Sequence, residues 1–202
     1  MDISFFSRGL IIGFSIAAPV GPIGVLCIRR TLAQGRAVGL ISGLGAATAD
    51  GLYGSIAGFG LTFISGFLVS QQVWLRIIGG IFLCYLGITT FLEKPAQSAA
   101  EVTGKGLIGT YASTFFLTVT NPLTILSFAA IFAGLGVASA GSNYLDSGIL
   151  VLGVFLGSAL WWLLLTIGVS ILRKKFDDRS LIWINRTSGL IIIVFGIIAL
   201  LG

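Results

Sequence analysis

The chain has 202 residues, 56% hydrophobic and 9% charged, with a mean hydropathy of +1.06 and a net charge of +5. Soluble domains carry about 25% charged residues, so a surface this poor in charge excludes a water-soluble enzyme. The absence of His removes the commonest metal ligand and near-neutral base, and the 12 cations, scattered among apolar runs, form no stripe for nucleic acid.

A membrane span needs about 20 predominantly apolar residues, and six are predicted. The first, Phe5 to Ile28, lacks the basic start of a cleaved signal, and Pro19 after Ala17-Ala18 makes a poor cleavage site. It contains Pro19, Gly21 and Pro22. The second, Val38 to Leu68, is longer than a span needs and carries Asp50 among Gly45, Ala46, Ala47, Thr48, Ala49 and Gly51. The third runs from Val73 to Leu92. The fourth, Leu107 to Val137, contains Thr120, Asn121 and Pro122. The fifth, Gly148 to Leu172, places Trp161-Trp162 near its middle, away from the interfacial belt where Trp gathers. Core packing or a place on a substrate path would account for that pair. The sixth runs from Trp183 to Leu201. Cys27 and Cys84 lie inside apolar segments and read as small buried hydrophobes. Gly-x-x-x-Gly pairs at Gly9/Gly13, Gly39/Gly43, Gly54/Gly58 and Gly153/Gly157 read as helix contacts.

The connections set the expected orientation. Arg29, Arg30 and Arg36, then Lys94 and Lys105, then Arg173, Lys174, Lys175 and Arg179 fall on one side. Only Arg8 and Arg76 fall on the other, with Arg186 at a span edge. The positive-inside rule puts the nine-cation side in the cytoplasm and both termini outside it. The basic clusters are read as topology signals and phospholipid anchors, with an anionic-ligand site built from them as the weaker alternative.

The halves echo each other. Pro22 and Pro122 occupy matching places in spans one and four, and Gly80 and Gly87 match Gly189 and Gly196 at the same spacing. Three spans per half force opposite polarity. The expected fold is an all-α membrane protein, a single integral domain of two inverted three-helix repeats, about 1–95 and about 105–202. Transporters of that build place their substrate between repeats, near the midplane.

Chemistry is expected at the helix breaks and at the acid. Proline removes an N–H and clashes with the carbonyl four residues back. Pro22 then frees the carbonyl of Ala18, and Pro122 that of Thr118. One reading is a kinked helix satisfied by its neighbours. The other is a broken helix whose half-helix N-terminus offers N–H groups to a carboxylate, with Thr120 and Asn121 adding donors and acceptors for a small zwitterion. Asp50 is the one acid deep within a predicted span. A charge at the bilayer centre costs about 2.5–3.5 kcal/mol on insertion scales, so Asp50 is a candidate proton carrier or counter-ion for an amine. A structural role, in which it satisfies a neighbouring break or pairs with Arg, is the alternative.

The ordered set Pro19-Val-Gly-Pro22, Cys27-Ile-Arg-Arg-Thr-Leu-Ala-Gln-Gly35, Gly45-Ala-Ala-Thr-Ala-Asp50-Gly and Thr120-Asn-Pro122 resembles the lysine exporter (LysE/RhtB) family over nearly the whole chain. The resemblance implies an inner-membrane exporter of amino acids or related small metabolites, driven by the proton gradient and without a cofactor. It carries the family's positions to Pro19, Gly21, Pro22, Asp50, Asn121 and Pro122. Ile23-Gly24 follow Pro22 where many members place a polar residue, which leaves the substrate's polarity open. A homodimer is the base-rate expectation. Two other readings compete. Distantly related thiol carriers place cysteines beside the prolines of both repeats, but here Ser127 matches Cys27, so the symmetric pair is missing. A non-transporting membrane subunit would leave Asp50 unexplained.

Overall fold

The computed structural model describes residues 3–19, 21–59, 70–92, 104–121, 123–128, 144–173 and 178–201, and these are helical apart from turns and breaks. The helices are α1 (Ile3–Ala17), α2 (Pro22–Gln34), α3 (Arg36–Gly58), α4 (Gln72–Leu92), α5 (Gly104–Val119), α6 (Tyr144–Arg173) and α7 (Asp178–Leu201), with a short helical segment at 123–128. Among the described residues three helices are long and apolar enough to cross a membrane, Val73–Leu92, Tyr144–Leu172 and Ile182–Leu201. The α1–α2 pair makes a fourth if its two arms, bent by 80°, count as one span. The 23-residue α3 is diluted by six glycines and Asp50, and α5 is short. The distal ends expected for the second and fourth spans, and Pro122, lie outside the described residues.

The polarity of the molecule is inverted relative to a soluble protein. Ile11, Ile81, Ile88, Leu164 and Ile198 are exposed, while Arg29, Arg30 and Asp50 are buried. An apolar exterior this extensive is costly in water and ordinary in hydrocarbon.

Small residues set how closely the helices pack. Gly9 and Gly13 of α1 lie against the backbone of Leu150, Gly153 and Val154 of α6, and Gly157 lies against Leu10. On α4 and α7, Gly80 faces the carbonyl of Gly196, and Gly87 faces that of Gly189. Adding a Cβ at Gly87 would bring it to 2.6 Å from Ile193 Cγ1 and 2.9 Å from the Gly189 oxygen. The pairing order makes these two helices antiparallel. On α3, Gly43 abuts Trp162, Gly51 and Gly54 meet Phe155 and Val154, and Gly45 meets the Tyr111 carbonyl. So α3 is clasped between α5 and α6.

The α1–α2 break has a local cause. Pro19 disfavours α-helix at Ala18, and the last helical bond is Ala18 N–H to the Phe14 carbonyl at 3.0 Å. Gly21 is extended (φ −104°, ψ −164°), and Pro22 starts α2, where its missing N–H costs nothing. The structure therefore shows a broken helix here rather than a kink inside a continuous one. At the other end of α2, Gly35 has φ 100°, a conformation that favours glycine, and α3 departs at Arg36. This corrects one expectation. Arg29 and Arg30 are not loop cations, because α2 continues six residues past Ile28 and turns both inward.

Candidate functional site

The two chain breaks meet at one cavity of about 230 Å³, walled by Pro19, Gly21 and Pro22 from the first break, Thr118, Asn121 and Thr124 around the second, and Asp50 and Trp162 opposite. The close packing of α3 on α6 puts Asp50, 3% exposed, against Ser158. Ser158 Oγ donates to Asp50 Oδ2 at 2.7 Å, and Trp162 Nε1 donates to Ser158 Oγ at 3.2 Å. Ser158 and Trp162 are four residues apart, hence on one face of α6. Among the described residues no cation pairs with Asp50. Its only partner there is a neutral hydroxyl, itself oriented by an indole.

The first turn of α2 lies in the same cavity, through Pro22, Ile23 and Gly24. No side chain caps it. Its N–H groups and the positive end of the helix dipole therefore share a space with a buried carboxyl.

The second break follows the same pattern. The Gly21 carbonyl accepts Val25 N–H at 3.0 Å, and one hundred residues on the Asn121 carbonyl accepts Ile125 N–H at 3.2 Å. Asn121 also caps the 123–128 segment, because its Oδ1 accepts Leu123 N–H at 3.2 Å. The carbonyls at this break find partners. Thr118 O, which Pro122 was expected to release, accepts Asn121 N–H at 3.2 Å, and Val119 O accepts the Tyr53 hydroxyl. Tyr53 stacks on Phe128 with ring centroids 5.5 Å apart.

The predicted site residues divide. Pro19, Gly21, Pro22, Asp50 and Asn121 wall the cavity. Pro122 lies outside the described residues. Thr120 is not in the wall, since it is buried and its hydroxyl donates to the Phe116 carbonyl at 2.9 Å. Thr118, Thr124 and Ser127 line the cavity instead, the Thr118 hydroxyl donating to the Thr114 carbonyl at 2.8 Å. Sequence reasoning missed Ser158, whose only signal is its four-residue spacing from Trp162. Trp162 is both packed in the core and part of the cavity wall. Cys27 is fully buried in that core, and Cys84 packs against Gly196; neither lines the cavity. Among the described residues no group of three His, Cys, Asp or Glu could hold a metal ion.

Apolar helices around a small cavity, bounded by two helix breaks and one buried acid, define a multi-pass membrane protein. The family model for LysE type translocators matches residues 14–202, and the chain belongs to that family. It is a membrane transporter. It is 30% identical over 198 residues, 96% of this chain and 93% of the other, to a Bacillus subtilis protein named "Putative amino acid efflux protein YcgF". It is 27% identical over 191 residues, 92% of this chain and 91% of the other, to "Uncharacterized membrane protein slr1627" of Synechocystis. No solved structure matches the chain.

Proposed function

We propose that this transporter exports amino acids or closely related small zwitterions across the inner membrane in exchange for protons, and that Asp50 couples the two movements. The observation that carries this reading is Asp50 itself: a buried carboxyl facing both helix breaks and bonded to a neutral donor. A zwitterion needs one partner for each end. The uncapped first turn of α2 suits the carboxylate, and Asp50 suits the ammonium. Asn121 adds its amide from the second break, while Pro19, Gly21 and Pro22 shape the first. The efflux role in the name of the Bacillus relative agrees with this direction of transport.

The same carboxyl can carry a proton. Protonated from the outside, Asp50 has no charge for an ammonium, and ionised toward the cytoplasm it does. Proton and substrate then exclude each other at one group, which is what exchange requires. No cofactor takes part.

The proposal includes six spans in two inverted repeats, with both termini outside the cytoplasm. Its support is reciprocal packing. The contact of Gly80 with Gly196 becomes that of Gly189 with Gly87 when the halves are exchanged. The α1–α6 and α3–α5 contacts exchange in the same way.

Metabolite profiling tests the reading. Medium from cells making the wild-type protein should be enriched in one or a few amino-acid-like solutes relative to cells without it. Medium from cells making Asp50→Asn at equal membrane abundance should not. Equal media in all three would contradict export.

A further inference from the structure

Three helices border a second cavity of about 310 Å³, each with one face. Leu26, Arg29 and Arg30 come from α2, and Leu86, Thr89 and Thr90 from α4. Gly106, Gly109, Thr110 and Ser113 come from α5. Residues three and four apart share a helix face, so these are three stripes turned to one space. Ile108 and Ala112 lie off the α5 stripe and are exposed. An added Cβ at Gly109 would meet nothing within 4 Å, so that stripe has room in front of it.

The seam between α4 and α5 accounts for the cavity. Gly79 lies against Thr120, where an added Cβ would come to 2.8 Å from the carbonyl oxygen. Phe82 meets Phe116 edge to face, with ring centroids 5.3 Å apart. The two helices therefore run antiparallel. Farther along, at Leu86, Thr89 and Thr90 on α4 and Gly106 to Ser113 on α5, the cavity replaces direct contact. Because α4 packs mainly along α7 and α5 along α3, the seam is lightly held. It is closed beside the second helix break and parted toward the α4–α5 connection, the side proposed to be cytoplasmic.

The inner end of this polar-walled cavity is apolar. Leu26 and Leu86 form part of its wall, and Leu117 packs in the same buried cluster. That cluster also holds Ala17, Ile23, Ala46 and Trp162, which wall the Asp50 cavity. One dry layer thus reaches both cavities. A hydrophobic constriction of this kind holds back water and charged solutes until its side chains part.

We propose that the cavity between α2, α4 and α5 is the cytoplasmic entry site for the transported zwitterion. Leu26, Leu86 and Leu117 form the closed gate between it and Asp50. The proposal rests on the exporter reading and its orientation, and it adds the route by which solute reaches the carboxyl. Solute enters from the parted end of the α4–α5 seam, and separation of the leucines admits it to the helix breaks.

The test uses the full chain in membrane vesicles and a charged, membrane-impermeant thiol reagent, sulfonatoethyl methanethiosulfonate. Wild type supplies the background, since Cys27 and Cys84 wall neither cavity. Gly109→Cys should be labelled in everted vesicles and not in right-side-out ones. Ala112→Cys, one turn of helix away on the exposed face, should be labelled in neither, because that face meets hydrocarbon. Ser127→Cys reports from the wall of the Asp50 cavity. In everted vesicles its labelling should become about tenfold faster when combined with Leu26→Ala or Leu117→Ala. Leu150→Ala, which hollows the other core cluster, should leave it unchanged. If either gate variant reaches the membrane poorly, Leu26→Val and Leu117→Val should give smaller rises in the same direction. Three results would each overturn the proposal: Gly109→Cys unlabelled from the cytoplasmic face, Ala112→Cys labelled equally, or Ser127→Cys insensitive to the gate variants. Labelling needs neither export nor Asp50, so Gly109→Cys should label equally when combined with Asp50→Asn. Failure here leaves the Asp50 reading standing, and failure of export by wild type leaves the labelling pattern to be judged by itself.

Discussion

At the residue scale, Asp50 depends on what holds it. Ser158→Ala removes the donor to Asp50 Oδ2 and leaves a buried carboxyl without that partner, a loss of about 1–3 kcal/mol. Thermal unfolding in detergent should show it, with Ser158→Thr restoring stability if the methyl fits. Asn121 has two possible duties, and the structure suggests how to separate them. Its Oδ1 caps the 123–128 segment, so Asn121→Ala should cost about 1 kcal/mol of stability. Asn121→Ser keeps a capping oxygen but lacks the amide. We expect Asn121→Ser to fold like the wild type and export poorly, as read by efflux at equal membrane abundance. Full export by the Ser variant would reduce Asn121 to a cap. Asp50 was legible in the sequence because an acid in an apolar run is expensive. Ser158 was not, because a hydroxyl costs little in a helix and its contact with Asp50 spans 108 residues.

At the element scale, glycine decides which helices touch. Gly87→Ala would force its methyl to 2.9 Å from the Gly189 oxygen, so α4 and α7 must separate. Overpacking of this kind costs about 1–3 kcal/mol. Gly168→Ala, where nothing lies within 4 Å, should be neutral or slightly stabilising. Comparing the unfolding midpoints of the two variants checks the contrast. The first break was legible from Pro19, Gly21 and Pro22 because proline acts on its own backbone. The length of α2 was not. Apolarity ends at Ile28, yet the helix continues through Arg30, whose guanidinium finds acceptors on other helices in Ser42, Ser113 and Thr114. Thr110, Thr114 and Thr118, four residues apart and all buried, form a hydroxyl stripe along α5. Its period is visible in the sequence, but its destination, the guanidinium at one end and the first cavity at the other, is a tertiary fact.

At the scale of the whole molecule, the proposed orientation rests on where cations end up. Arg29 and Arg30 are buried, which leaves seven of the nine cations as candidates for the positive-inside signal, still against two. A reporter active only outside the cytoplasm should therefore work when fused after Gly202, and activity of a cytoplasmic reporter there would reverse the orientation. The proposed inverted repeats and proton exchange share one further consequence: under that reading the Asp50 cavity opens to each side in turn. The most direct measurement of this is transport in proteoliposomes, comparing wild type with Asp50→Asn for the solute found by profiling. Wild type should accumulate that solute against its gradient when a pH gradient is imposed, and Asp50→Asn should not. If Asp50 only carries the proton, the variant still exchanges substrate between equal pools; if it also holds the ammonium, exchange is lost as well. Gradient-driven accumulation by Asp50→Asn at the wild-type rate would contradict both roles and make the buried carboxyl a structural group.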